Sequence, residues 1–317
     1  MDELPIIDIS RLRAPDLADR QAAAAELGRA CREIGFFYII GHAIPAATRD
    51  GVFHAAHTLF AAPDAEKVRV DVRLSPHNRG YIGFGTERLD EHAAADQKEA
   101  FNVGLELPPD DPELLAVGTV RGPNLWPDIA GWRDAVLAYF NACEAVQGDI
   151  HRGFALDLGI AEDFFAAKLD RSSSILRLLH YPAGPADSGE LGAGQHTDYG
   201  NVTILATDGV AGLQVRRRDG TWIDAPHVPG AFVCNIADCL MRWTNDIYVS
   251  TPHRVVRPAA ERYSVAFFGD ANPYAIVEAI PTCVPAGETA KYPPITCHDY
   301  IQMRLNATYD HLKETVA

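Results

Sequence analysis

From residue 174 onward the chain is a succession of short strand-like segments, and this constrains its fold more than any other feature. Candidate strands fall at 174–180, 192–197, 202–207, 212–216, 221–224, 231–236, 253–257 and 262–269, with Gly, Asp and Pro between them. A parallel sheet would need a crossover helix after each strand, and no helical periodicity separates these segments. Strands of this length at roughly ten-residue spacing predict an antiparallel sandwich or jelly roll.

The first half reads differently. Leu4 to Ile9 predicts a short strand, residues 15–34 a helix carrying Leu17, Leu27, Cys31 and Ile34 near helical spacing, and Gly35 to Gly41 a buried aromatic strand. A second helix follows Pro45, a residue suited to a first helical turn. Residues 74–126 are rich in Gly, Pro and Asp and predict loops, with one strand near Glu99 to Val103. Residues 127–158 carry the strongest helical pattern, from Trp132 through Val136, Tyr139, Phe140, Cys143 and Val146 to Ile150. A last helix is predicted from Asp299 to Leu312. No linker breaks the chain, so the expectation is one domain over 1–317, mainly β with flanking helices. In it a helical and loop region over 1–160 packs on a β core over 174–270, and a helix closes the chain over 298–312.

The formal charge of −15 excludes a nucleic-acid surface, which needs clustered Lys and Arg. A small-molecule partner remains compatible, because a pocket can be locally basic. The N-terminus lacks a basic and apolar leader, the run from Ile34 to Gly41 is far too short to span a bilayer, and the six cysteines form no C-x-x-C pair. These features predict free thiols in a reducing cytoplasm, no membrane association, and a monomer or weak homo-oligomer.

The chemistry is concentrated late in the chain. Side chains two apart on a strand share a face, so His196 and Asp198 can converge on one ion while Thr197 points away. His253 opens a later strand candidate and can approach from a neighbouring part of the same core. Two imidazoles and a carboxylate can hold iron(II) on one side and leave the other open. Arg262 and Ser264 share the strand face opposite Tyr263, Val265 and Phe267. An inward guanidinium is costly unless an anion meets it, and its planar fork suits a carboxylate.

Together these residues resemble the iron(II)/2-oxoglutarate-dependent oxygenases, in the isopenicillin N synthase-like branch. The resemblance runs through Leu4-Pro-Ile-Ile-Asp-Ile9, Gly35-Phe-Phe-Tyr-Ile-Ile-Gly-His42, Asn78-Arg-Gly-Tyr81 and Asp96-Gln-Lys-Glu-Ala-Phe101. It continues through His180-Tyr-Pro182, His196-Thr-Asp-Tyr-Gly200, Gly212-Leu-Gln-Val215, Trp243-Thr-Asn245, Ser250-Thr-Pro-His-Arg-Val255 and Arg262-Tyr-Ser264. It implies a double-stranded β-helix, with His196, Asp198 and His253 as iron ligands and catalytic centre. It also implies that Arg262 and Ser264 bind the remote carboxylate of 2-oxoglutarate, aided by Tyr181. Many relatives carry Asn where Leu179 stands. The implied reaction consumes O2 and 2-oxoglutarate, yields succinate and CO2, and oxidises a small molecule by hydroxylation or desaturation. Tyr199, Phe268, Phe101 and Arg79 are expected at the substrate pocket. Two other readings stay open at this stage: an oxidase whose Arg/Ser pair grips a substrate carboxylate, and a non-catalytic jelly-roll binding protein.

Overall fold

A computed structural model describes residues 3–87, 96–116, 120–184 and 191–308. Its main sheet has eight strands in the order β1-β2-β10-β7-β12-β5-β4-β3, and a second sheet has four in the order β6-β11-β8-β9. The main-sheet strands are β1 (Ile6–Asp8), β2 (Phe36–Ile40), β3 (Gly80–Ile82), β4 (Glu99–Gly104), β5 (Ile175–Tyr181), β7 (Val202–Thr207), β10 (Phe232–Ile236) and β12 (Arg262–Gly269). The smaller sheet takes β6 (Leu191–His196), β8 (Leu213–Arg216), β9 (Trp222–Asp224) and β11 (His253–Val256). From β5 to β12 the chain therefore passes back and forth between two facing sheets, which is the winding of a jelly roll.

Both faces of the main sheet are covered. On β12, Tyr263, Val265 and Phe267 join the core beneath the helices, and the Phe267 ring meets Phe140 edge-on at 5.4 Å. Arg262, Ser264, Ala266 and Phe268, one residue out of step, face the cavity between the sheets. The helix covering the first face spans Trp132–Asp157 and buries Val136, Tyr139, Phe140, Cys143, Val146, Ile150 and Phe154 on one stripe. It begins at Trp132 rather than at Pro127, because Gly131 has φ +72° and a left-handed residue cannot continue a helix. The Trp132 indole N–H donates to the Ala55 carbonyl at 2.8 Å, tying this helix to the one over Ala46–Phe60.

The region before residue 160 supplies more than helices, since β1 to β4 all lie in the main sheet. β3 escapes sequence reading because it is only three residues long and begins at Gly80. There φ is +111° and a Cβ would sit 2.3 Å from the Val70 carbonyl oxygen, so only glycine fits. A six-residue helix over Asp238–Trp243 is likewise too short to leave a periodic trace. The last helix covers Cys297–Thr308, and residues 309–312 of the predicted span lie outside the described residues. All six cysteines are buried and unpaired, and no described helix is long and apolar enough to cross a membrane.

Candidate active site

His196 ends β6 and His253 opens β11, and the antiparallel ladder makes them direct cross-strand partners. Their ring centroids lie 4.3 Å apart. Asp198 follows β6 by two residues, and its Oδ1 is 3.7 Å from Nε2 of each histidine. One donor atom from each of the three residues falls within 4.8 Å of the other two. The opposite ring nitrogens fix this orientation: Nδ1–H of His196 donates to the Gly194 carbonyl at 2.7 Å and that of His253 to the Thr251 carbonyl at 3.2 Å. The second aspartate oxygen is occupied, because Oδ2 accepts from the Thr203 hydroxyl at 2.5 Å and from the Asn235 amide at 2.7 Å. Only Oδ1 is left to face the imidazoles.

Protonation states suit a cation at this point. Burial, reinforced by the neighbouring His253, pushes the His196 imidazolium down to about 3, so the ring is neutral with a lone pair available. Burial alone would raise Asp198, but the two imidazoles and the Thr203 and Asn235 hydrogen bonds win and hold it below the usual carboxylate range. Two imidazole nitrogens and one anionic oxygen converging from one side match the two-histidine, one-carboxylate donor set of non-haem iron(II). The residues present fit the metal.

Thr203 and Asn235 are not legible as site residues in the sequence. They are brought to Asp198 only by the β7–β10 register, in which they are partners. Hydrogen bonds of this kind orient a ligand, and losing one typically costs about 10- to 100-fold in metal affinity. We expect Asn235→Ala to weaken iron(II) binding to that extent in an anaerobic titration. A variant that binds iron normally would show that Thr203 alone suffices.

Arg262 lies at the other end of the same cavity. It is 1% exposed, and its guanidinium donates to the Val210 carbonyl at 3.2 Å and the Ser264 hydroxyl at 3.3 Å. No carboxylate among the described residues pairs with it. Tyr181 is its ladder partner on β5, and the guanidinium sits 5.0 Å from the centre of the Tyr181 ring. Leu179, opposite Ser264 in the same ladder, adds an apolar patch to the wall.

The cavity between the sheets measures about 180 Å³ and takes in the three candidate ligands together with Arg262 and Ser264. Tyr199 and Phe268 line it as expected, but two expected residues do not. The Phe101 side chain is fully buried on the helix side, edge-on to Trp132 at 5.0 Å. The Arg79 guanidinium is folded toward Gly104. Their chain neighbours Asn102 and Asn78 line the cavity in their place. Arg177, Lys98 and Asp270 also line it, as do Ile301 and Leu305 from the last helix. Counting back by twos from Tyr181 finds Arg177, and counting on by twos from Phe268 finds Asp270. The two cations are neutralised within the protein, Lys98 by Asp96 at 2.5 Å and Arg177 by Glu87. Burial raises the Asp270 carboxyl to about 8, with the Asp198 charge adding and Arg79 opposing.

Known proteins share this architecture. Residues 4–129 match the family model described as the N-terminal region of the non-haem dioxygenase in morphine synthesis, and residues 172–271 match the 2OG-Fe(II) oxygenase superfamily. The 2-oxoglutarate-Fe(II) type oxidoreductase hxnY of Emericella nidulans is 36% identical over 314 residues, spanning 96% of this chain and 90% of that protein. The chain belongs to the 2OG-Fe(II) oxygenase superfamily. A homoarginine-6-hydroxylase of Arabidopsis thaliana is 35% identical, over 87% of this chain and 80% of that one. A full-length Neurospora crassa protein, crystallised in complex with alpha-KG, superposes with a TM-score of 0.86 at 33% identity, over 96% of each chain. The same protein has been crystallised with alpha-KG and thymine, with a TM-score of 0.85. This oxygenase is thus an iron(II)- and 2-oxoglutarate-dependent dioxygenase with a double-stranded β-helix core, and it couples oxidative decarboxylation of 2-oxoglutarate to O2-dependent oxidation of a small molecule. The isopenicillin N synthase-like resemblance holds, and the co-substrate-independent oxidase and the non-catalytic binding protein give way to it.

Proposed function

We propose that His196, Asp198 and His253 hold the iron(II), that Arg262 and Ser264 bind the remote carboxylate of 2-oxoglutarate over the Tyr181 ring, and that the enzyme hydroxylates a small planar heterocycle. The observation carrying this reading is the convergence of three metal-donor atoms in one cavity with a buried guanidinium that has no carboxylate partner among the described residues. Bound iron would supply the O2 activation that side chains cannot perform. The chain supplies position and dryness. Ser264 braces the Arg262 fork, so an incoming dicarboxylate meets donors already aimed. Leu179, Ala193 and Val255 add apolar walls that restrict water.

The substrate class rests on the far end of the cavity. Two aromatic side chains, Tyr199 and Phe268, and amide groups from Asn78 and Asn102 suit a flat ring with a polar edge. The thymine complex of the Neurospora relative is in keeping with this, and the Arabidopsis relative's name makes hydroxylation the favoured outcome. The chain works as one domain in a reducing cytoplasm on this reading, in line with a sheet that joins β1–β4 to β5 and with six unpaired thiols.

The test is aerobic turnover by the iron(II)-loaded protein. Thymine should raise succinate formation above the substrate-free rate and leave a product heavier by one oxygen atom derived from O2. Stimulation with a product that has lost two hydrogens would replace hydroxylation by desaturation. No stimulation by thymine or other pyrimidine bases would reject the heterocycle.

A further inference from the structure

Asp270 is a buried carboxyl in the cavity wall, and the family reading assigns it no task. On β12 the residues facing the cavity run Arg262, Ser264, Ala266 and Phe268, and Asp270 continues this two-residue step just past the strand end. The first two stand at the co-substrate end proposed above, which puts Asp270 at the opposite end, where a substrate would lie. Its backbone is held on both sides. The Asp270 N–H donates to the Ser174 hydroxyl at 3.1 Å, and its carbonyl accepts from the Gln147 amide at 3.1 Å. The carboxyl is therefore placed by a fixed backbone.

Asp270 is 5% exposed, and its Oδ1 has no hydrogen-bond partner among the described residues. Burying a carboxyl oxygen without a partner is costly, and such atoms are rare in folded proteins. Two other charged groups of the wall, Lys98 and Arg177, have carboxylate partners in Asp96 and Glu87, and a third, Arg262, belongs to the co-substrate end proposed above. Arg79 contributes a favourable field at Asp270 but no hydrogen bond to Oδ1. Space has also been kept for this oxygen. A Cβ at Gly200, two residues after Asp198, would lie 1.6 Å from it. Any side chain at position 200 would displace the carboxyl.

The Asp270 side chain stands in the cavity wall, and a buried carboxyl without a hydrogen-bond partner among the described residues can be completed by a donor that enters the cavity. We propose that Asp270 is a specificity-determining residue that accepts a hydrogen bond from a substrate N–H, whether that of a lactam-type ring or of a guanidinium. The inference rests on the cavity assignment above, and it narrows the substrate to nitrogen compounds with a free N–H. It is independent of whether that N–H belongs to a heterocycle.

The experiment compares the holoenzyme with Asp270→Ala and Asp270→Asn, using thymine, 1-methylthymine, 3-methylthymine and homoarginine as probes. In the unaltered enzyme, methylating the ring nitrogen that faces Asp270 should sharply raise KM, while methylating the other should not. In Asp270→Ala the KM for thymine should rise roughly 10- to 100-fold and discrimination between the two methylated rings should collapse. Asp270→Asn keeps a carbonyl acceptor and should fall between. A merely structural role would weaken all probes alike and leave the discrimination intact. If Asp270→Ala uses thymine with unchanged KM and unchanged discrimination, the Asp270 assignment is overturned and the heterocycle reading stands. If thymine is inert with the unaltered enzyme, while homoarginine drives turnover with a KM that rises in Asp270→Ala, the heterocycle reading falls and Asp270 keeps its role.

Discussion

Asp198→Ala should lose succinate formation down to background, with iron(II) affinity lowered by more than about 100-fold. Two effects act together. The variant loses the one anionic donor of the set, leaving two imidazoles to hold a divalent ion. It strands the Thr203 hydroxyl and Asn235 amide, which both donate to Asp198 Oδ2 in a buried setting. Asp198→Asn separates the contributions, since it preserves shape while removing charge. It should bind iron far more weakly than the unaltered protein and recover little turnover. Iron titration under argon, followed by succinate measurement after admitting O2, reads both quantities on one sample. Turnover retained in Asp198→Ala would remove this residue from the metal centre.

The second large effect belongs to Arg262. Hydrogen bonds to a charged group contribute about 1.5–3 kcal/mol each, and tenfold in affinity corresponds to about 1.4 kcal/mol. Arg262→Met should therefore raise KM for 2-oxoglutarate roughly 10- to 100-fold, with a smaller effect on iron binding. Stability should move the other way. An enclosed guanidinium with no carboxylate partner among the described residues is costly to the folded state when no anion is bound, and a methionine of similar reach is not. The thermal midpoint measured without 2-oxoglutarate should rise, and added 2-oxoglutarate should no longer raise it further. Arg262→Lys keeps the charge but loses the planar fork, so it should recover part of the affinity. A variant with both lower stability and normal KM would mark Arg262 as a structural residue.

Much of this architecture is readable in the residues alone, and the reason is periodicity. Strands covered unequally on their two faces show a two-residue rhythm, so spacing alone puts His196 with Asp198 and Arg262 with Ser264 on common faces. The misplacement of Phe101 has the same physical origin. β4 is buried at every position, so its sequence carries no alternation to say which side chains face the cavity. Phe101 stands in the expectation where Asn102 lines the cavity, a displacement of one residue that turns a side chain to the opposite face, and Arg79 stands where Asn78 does, in the turn before β3 where Asn78 has φ +57°. Thr203 and Asn235 are invisible for another reason. They approach Asp198 through pairing between β7 and β10, strands far apart along the chain, and no local pattern reports such a register.

The central claim is that two histidines and an aspartate hold iron(II) while leaving coordination positions that 2-oxoglutarate can take. Anaerobic addition of 2-oxoglutarate to the iron(II)-loaded protein, followed by visible absorption, tests it most directly. A metal-to-ligand charge-transfer band should develop with saturation, be absent with zinc(II), and be lost in Asp198→Ala. Iron bound tightly with no such band at any 2-oxoglutarate concentration, or a band undiminished in Asp198→Ala, would contradict the account.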